Sequence, residues 1–368
     1  MQPTKHGFIG AFTRDGYVVF DPEPLLGGNE PRRLRVRGGS ARTRAAAMDA
    51  LARRITEQDR EADLLHDVLD PDAVVGIVCP SLALAVASAG AGDPCLNIGQ
   101  PDVCVDMDEA LRSVHSGVYP EVVRALDAEA SSYESRVVRY MEAAAPLRAD
   151  AGDEYSRVLD RAALDRMLEP WMESIMAYRP ESGGGVESRV FVEAVTSRGL
   201  VQHLDSVLTP RLWRVSGPWG CDFHDPLAKL RDAALSRGLD VMCAMEYCQP
   251  DRLAHLLIPE LGLFVTSEVS VHALAGAAQR TIDLRLAMPA AETFSQHTLR
   301  ALAYDELMVE QLMEKAAYAL DLSRLTRQRI DRMVEERVDE QVVALMVNAA
   351  LAALEGAVTG QPRQEAYA

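Results

Sequence analysis

The chain has 368 residues, 48% hydrophobic and only 5% aromatic, enough to bury a sizeable core and rich in small aliphatic side chains that suit helices better than an aromatic-filled β-sandwich. Its 38 basic and 55 acidic residues leave a net charge of −17, which opposes long-range attraction to nucleic acid or an anionic membrane surface. The six cysteines form no C-x-x-C pair, the first residues lack the apolar core of a signal peptide, and no apolar run approaches the ~18 residues that span a bilayer; a reduced, cytoplasmic chain is expected.

In chain order, residues 8–20 read as strand, turn, strand, and residues 33–37 as an apolar, basic strand. Gly38 and Gly39 follow, and an alanine-rich helix then carries Met48, Leu51 and Ile55 on one face. Residues 62–66 and 82–87 are the next predicted strands. From 109 to 176 the apolar positions recur at helical spacing with no strand signal, and a glycine-rich run at 182–185 marks a linker.

Beyond the linker the pattern starts again. Residues 191–204, 213–216, 240–246 and 261–266 read as strands, 225–237 as a helix, and 296–354 as a second helical tract. The likeness extends to residue identities: Pro71, Asp72, Pro80, Leu82, Leu84 and Ser88 recur as Pro250, Asp251, Pro259, Leu261, Leu263 and Ser267, at a constant offset of 179. The same offset carries Arg35, Val36 and Gly38 onto Arg214, Val215 and Gly217. Two related units therefore stand in tandem, over 1–180 and 186–368, with helical tracts at 109–176 and 296–354. Strands alternating with helices imply an α/β fold with mostly parallel sheets.

A glycine-bearing turn between a strand and a helix is the layout of a phosphate-binding loop, and the surrounding phrases resemble a family of uncharacterised bacterial ATPases built from two tandem P-loop domains. His6, Phe8, Thr13 and Gly16 fit its first phrase, and Asp70, Asp72, Pro80 and Leu82 a later one; Thr196, Gly199, Pro250, Leu253, Pro259, Leu261 and His272 fit in the second unit. The resemblance covers nearly the whole chain and implies two P-loop-like three-layer units. Its most diagnostic motif is the one that fails. The last loop glycine, lysine and serine of the family fall on Thr43, Arg44 and Ala45 in the first unit and on Asp222, Phe223 and His224 in the second. The metal-holding aspartate falls on Ser88 and Ser267, and the histidine after that strand survives only as His272, with Asp93 in its place in the first unit.

A working P-loop needs the lysine for the terminal phosphates, and the hydroxyl and carboxylate together for Mg²⁺. The expectation is thus a degenerate, non-hydrolysing ATPase relative, acting as a scaffold or as a weak binder of ATP or another phosphate, with no catalytic or metal residue assigned. Its phosphate loop would comprise Gly38, Gly39, Ser40, Arg42, Thr43 and Arg44, with Gly217 and Gly220 in a more damaged second loop. The alternative is an atypical ATP-binding ATPase or kinase-like enzyme using Arg44, with Asp70 or Asp72 for metal. The helical tracts are the expected surfaces for a protein partner; no nucleic acid or membrane is expected. His66 near Asp70, and the His224-Asp225 pair, read as surface histidines rather than metal ligands, and Cys243 and Cys248 as buried small hydrophobes.

Overall fold

A computed structural model describes residues 4–26, 31–57, 61–89, 98–110, 120–178, 184–267, 278–288 and 294–335, and in the last helical stretch 341–342, 345–346, 348–350 and 352. The first unit comprises β1 (Lys5–Phe8), β2 (Gly10–Thr13), β3 (Gly16–Val19), β4 (Arg32–Arg37), α1 (Ala41–Thr56), β5 (Asp63–His66), β6 (Val74–Cys79), β7 (Leu84–Ala89) and β8 (Val103–Asp106). Its helical tract is α2 (Pro120–Val158) and α3 (Arg161–Met176). The second unit repeats the order as β9 (Glu187–Val190), β10 (Glu193–Thr196), β11 (Gly199–Gln202), a short α4 (Leu204–Val207), β12 (Arg211–Ser216), α5 (His224–Ser236), β13 (Val241–Met245), β14 (Leu253–Ile258), β15 (Leu263–Ser267) and β16 (Arg280–Asp283), followed by α6 (Gln296–Glu335).

Each unit holds one six-stranded sheet, ordered β1-β5-β6-β7-β4-β8 in the first and, strand for strand, β9-β13-β14-β15-β12-β16 in the second. Three of the five pairings in each are parallel, so the α/β class with mostly parallel sheets holds. The other two form an antiparallel meander through β6 and β14, strands absent from the elements expected from sequence. Both faces of these strands are largely buried, so their mostly apolar runs lack period-2 alternation, and periodicity alone does not separate such a run from a buried helix.

The recurring Pro-x-Leu is explained by the hairpin it closes. Proline opens a single 3-10 turn at Pro80–Leu82 and Pro259–Leu261, and the next residue takes a left-handed conformation, at φ 49° for Ala83 and 51° for Gly262. Glycine adopts that region freely; alanine does so at a cost of roughly 1–2 kcal/mol.

Alternate residues on the strands point to two different cores. In the first unit Leu34, Val36, Ile77, Cys79 and Val86 meet Met48, Leu51 and Ile55 of α1. In the second, Trp213, Val215, Val241, Cys243 and Val265 meet Leu227 and Leu230 of α5. The other faces of both sheets share one core, in which Leu65, Val78, Ala85 and Ala87 join Met242, Ala244, Leu257 and Phe264. Phe8 N–H donates to Phe191 C=O at 2.7 Å, so the edges β1 and β9 also meet. Gly7 is required there: a Cβ would lie 2.9 Å from the Phe191 carbonyl oxygen.

The units embrace one another reciprocally. The β2–β3 tip reaches the second unit through Arg14 and Asp251 (2.9 Å), and the β10–β11 tip reaches the first through Arg198 and Asp72 (3.0 Å). On α2 the buried Ala130, Val137, Ala144 and Ala151 recur every seven residues, as do Leu302, Val309, Ala316 and Ser323 on α6. Two seams of this period bury each other along long helices. Asp127 faces Arg327 (3.3 Å) while Glu134 faces Ser323 (2.7 Å), so the helices run antiparallel. Each helix thereby crosses to the unit it does not belong to. Arg148 of α2 pairs with Glu246 (2.8 Å), Trp171 of α3 lies against Trp213 (4.8 Å), and Asp331 of α6 accepts from Ala41 N–H of the first unit (3.0 Å). Among the described residues no helix is long and apolar enough to cross a membrane.

Candidate functional site

The first glycine-bearing loop leaves β4 through Gly38 and Gly39, both left-handed, at φ 72° and 61°. Gly38 is also confined: a Cβ would fall 2.6 Å from Asp106 Oδ1 and 2.8 Å from Asp108 Cγ. Ser40 then caps α1, its Oγ accepting from the Thr43 N–H at 3.0 Å, the ordinary way to satisfy an orphan amide at a helix start. Thr43 Oγ1 lies 2.9 Å from the same Ser40 Oγ.

Two further amides face carboxylates of this chain. Gly39 N–H donates to Asp108 Oδ1 at 2.8 Å, and Ala41 N–H to Asp331 Oδ1 of α6 at 3.0 Å. Arg44 is buried and turned inward, Nη1 donating to the Gly38 and Gly39 carbonyls at 3.1 and 2.9 Å. Arg42 is exposed on α1. The structure therefore brings Gly38, Gly39, Ser40, Thr43 and Arg44 together, with carboxylates against the amides that would face a phosphate.

The second loop is closed by packing. Phe223 is buried, with its Cζ 3.4 Å from where a Cβ on Gly217 would stand. Gly220 has φ 85°, and a Cβ there would be 2.5 Å from Ala151 Cβ, so α2 lies directly on the turn. α5 starts without a side-chain cap; Asp222 instead accepts from His224 N–H at 2.8 Å and pairs with Arg252. Beside this loop lies a small cleft of about 30 Å³ lined by Tyr155, Arg161, Cys221, Asp222, Asp225 and Lys229. Its charges are matched, Arg161 to Asp225 at 3.6 Å and Lys229 to Asp165, and burial pushes the Cys221 thiol up to about 12, far from nucleophilic.

Ser88, next to last in its strand, and Ser267, last in its own, lie beside β4 and β12, opposite Val36 and Val215. Asp70 and Asp72 are engaged by Arg198. His272 and Asp93 lie outside the described residues. Among the described residues no group of three His, Cys, Asp or Glu side chains is arranged to hold a metal ion. His224 Nδ1 accepts from Leu253 N–H at 2.9 Å, and His66 is buried rather than exposed.

Two polar clusters escaped the reading of motifs. In the second unit His255, Thr266 and Glu193 are 1%, 3% and 6% exposed. His255 Nδ1 lies 2.9 Å from Thr266 Oγ1, its Nε2 3.5 Å from Glu193 Oε1, and Gln202 donates to that same oxygen at 2.8 Å. An acid, an imidazole and a hydroxyl in a row suit proton relay only where a substrate can reach them; this row is sealed inside the sheet. The aligned positions in the first unit are Gly10, Gly76 and Ala87. The second cluster is a stack of His6, His66 and His203 between the units, with ring centroids 4.7 to 5.8 Å apart. Comparing the repeats would have flagged both, because the first replaces small residues of the other half and the second puts imidazoles where the other half has Arg189, Met245 and Phe20.

No family model matches the chain, and neither a curated protein nor a solved structure matches it.

Proposed function

We propose that this protein is a degenerate relative of the tandem P-loop ATPases that turns over no nucleotide and works as a scaffold. The observation that supports this reading best is the pair of bonds from Gly39 and Ala41 N–H to the carboxylates of Asp108 and Asp331, 2.8 and 3.0 Å long. A phosphate would have to displace two anions that are part of the fold, and Arg44 is spent on loop carbonyls. In the second loop Phe223 fills the space, and Asp222 adds a like charge. The helical tracts fit the interaction half of the reading: α6 exposes Tyr304, Leu307, Tyr318 and Leu325 away from its seam with α2.

A thermal-shift titration with ATP, with and without Mg²⁺, tests this. A native-state ligand at 100 times its Kd adds about 2.7 kcal/mol of stability; the expected result is an unchanged melting curve at millimolar nucleotide. ATP hydrolysis that disappears in Arg44→Ala would overturn the proposal and establish the enzyme reading.

A further inference from the structure

We infer that the stack of His6, His66 and His203 is an acid-sensitive lock between the two units. His6 lies on β1 and His66 on β5 of the first unit, while His203 precedes α4 of the second. His6 Nδ1 and His66 Nε2 are 2.8 Å apart, and the His203 ring lies 4.7 Å from His66 and 4.9 Å from Phe8. That short nitrogen pair requires one ring to accept; if both rings are protonated, both nitrogens are donors and the contact becomes repulsive. The second unit clasps the same spot with Ser206, whose Oγ accepts from His6 N–H at 2.9 Å, and the Phe8 to Phe191 bond crosses between the units next to it.

The repeat supplies an internal control. The position equivalent to His203 in the first unit is Phe20, whose ring lies 4.7 Å from Phe191, just as His203 lies against Phe8. His66 corresponds to Met245, and His6 to Arg189. One of the two symmetry-related junctions is therefore held without titratable rings, and the other is built from three.

The surroundings hold the rings neutral. Burial, then the charges of His203 and His6, lowers His66 to about 4; burial, then His6, lowers His203 to about 4; burial lowers His6. The groups acting the other way are Asp63 against His6, and Asp72 with the Pro71 backbone against His66. Asp63 is shared with Lys5 at 3.6 Å and Asp72 with Arg198, while α4 presents the Ser206 hydroxyl and an exposed Asp205. A cavity lined by Lys5, His6, Gly7 and Asp63 adjoins the stack.

The sign follows from the lowered values. The folded state binds fewer protons than the unfolded one below the ordinary value of 6.5, so the lock weakens as pH falls from there toward about 4 and is fully intact above 6.5. A ring titrating at about 4 instead of 6.5 biases the junction toward opening by about 30-fold at pH 5.

The test is hydrogen exchange followed by mass spectrometry on the full chain at pH 7.5 and pH 5, corrected for intrinsic exchange, reading the segment containing Phe8 against α1. Wild type is expected to lose protection at Phe8 by 10-fold or more on acidification while α1 holds; His66→Met with His203→Phe, the residues of the other junction, is expected to reduce that loss below 2-fold. An equal loss in wild type and variant, or none in wild type, overturns the inference. Should the variant not fold, proton NMR titration of the eight histidines of wild type decides: at least two midpoints below 5 are expected, and fewer than two overturns it.

Discussion

The two strand-to-helix loops leave equivalent strands and are closed by opposite chemistry. At Gly38 and Gly39 closure is polar: a serine cap, an inward arginine, and carboxylates brought from the turn after β8 and from α6 onto the amides. At Gly217 and Gly220 it is apolar, with a phenylalanine inside the turn and an alanine of α2 on top. In both, the outside group comes from the long helix of the opposite unit, Asp331 in one case and Ala151 in the other. Loss of phosphate chemistry therefore leaves a turn that can be sealed either way, provided its buried amides find acceptors or are packed over.

The largest expected effect is at the apolar seal. Phe223→Ala removes a buried ring and should lower the unfolding free energy by about 3–5 kcal/mol, whereas Arg44→Ala at the aligned position loses two hydrogen bonds to carbonyls, about 1–3 kcal/mol. Urea titrations of both variants check the order; a larger loss for Arg44→Ala would mean the polar loop is the more critical. Next comes the buried row of the second unit. Glu193→Ala deprives half-buried Gln202 of an acceptor and removes the carboxylate beside His255, and should cost about 1–3 kcal/mol by the same measurement, while Gly10, already without a side chain, offers nothing comparable to remove.

Gly220→Ala should destabilise by about 2 kcal/mol, since it adds a Cβ 2.5 Å from Ala151 Cβ and forces a left-handed alanine. Combining it with Ala151→Gly relieves the contact and not the backbone strain, so a double-mutant cycle should recover part of the loss; no recovery would place the whole cost in the backbone. The smallest effect compares the two Pro-x-Leu hairpins. Ala83→Gly should raise stability by about 0.5 kcal/mol and Gly262→Ala lower it by a similar or larger amount, readable as opposite shifts of the thermal midpoint.

Much of the fold was legible because it is written twice. The constant offset from Pro71 onto Pro250 announced the duplication, and the helical spacing of Met48, Leu51 and Ile55 announced α1. Strands β6 and β14 were hidden by their burial on both faces. In the first loop, Gly38, Gly39, Ser40 and Arg44 were legible as a group from local spacing; Asp108 and Asp331 were not, because the acceptor for Ala41 is 290 residues away. The histidine stack joins positions 6, 66 and 203, a set no window on the chain contains.

By itself the sequence determined the local order of elements, the tandem repeat and the replacement of the loop's lysine and hydroxyl by Arg44 and Ala45, since these depend on residue types within a few turns of chain. Only the tertiary structure decided which carboxylates meet the loop amides, that each long helix serves the other unit, and that one junction is made of imidazoles while its counterpart is made of a phenylalanine pair. Those are matters of which distant surfaces meet. Reciprocal packing of the two halves set them, and that packing depends on faces brought together across well over a hundred residues rather than on any one stretch.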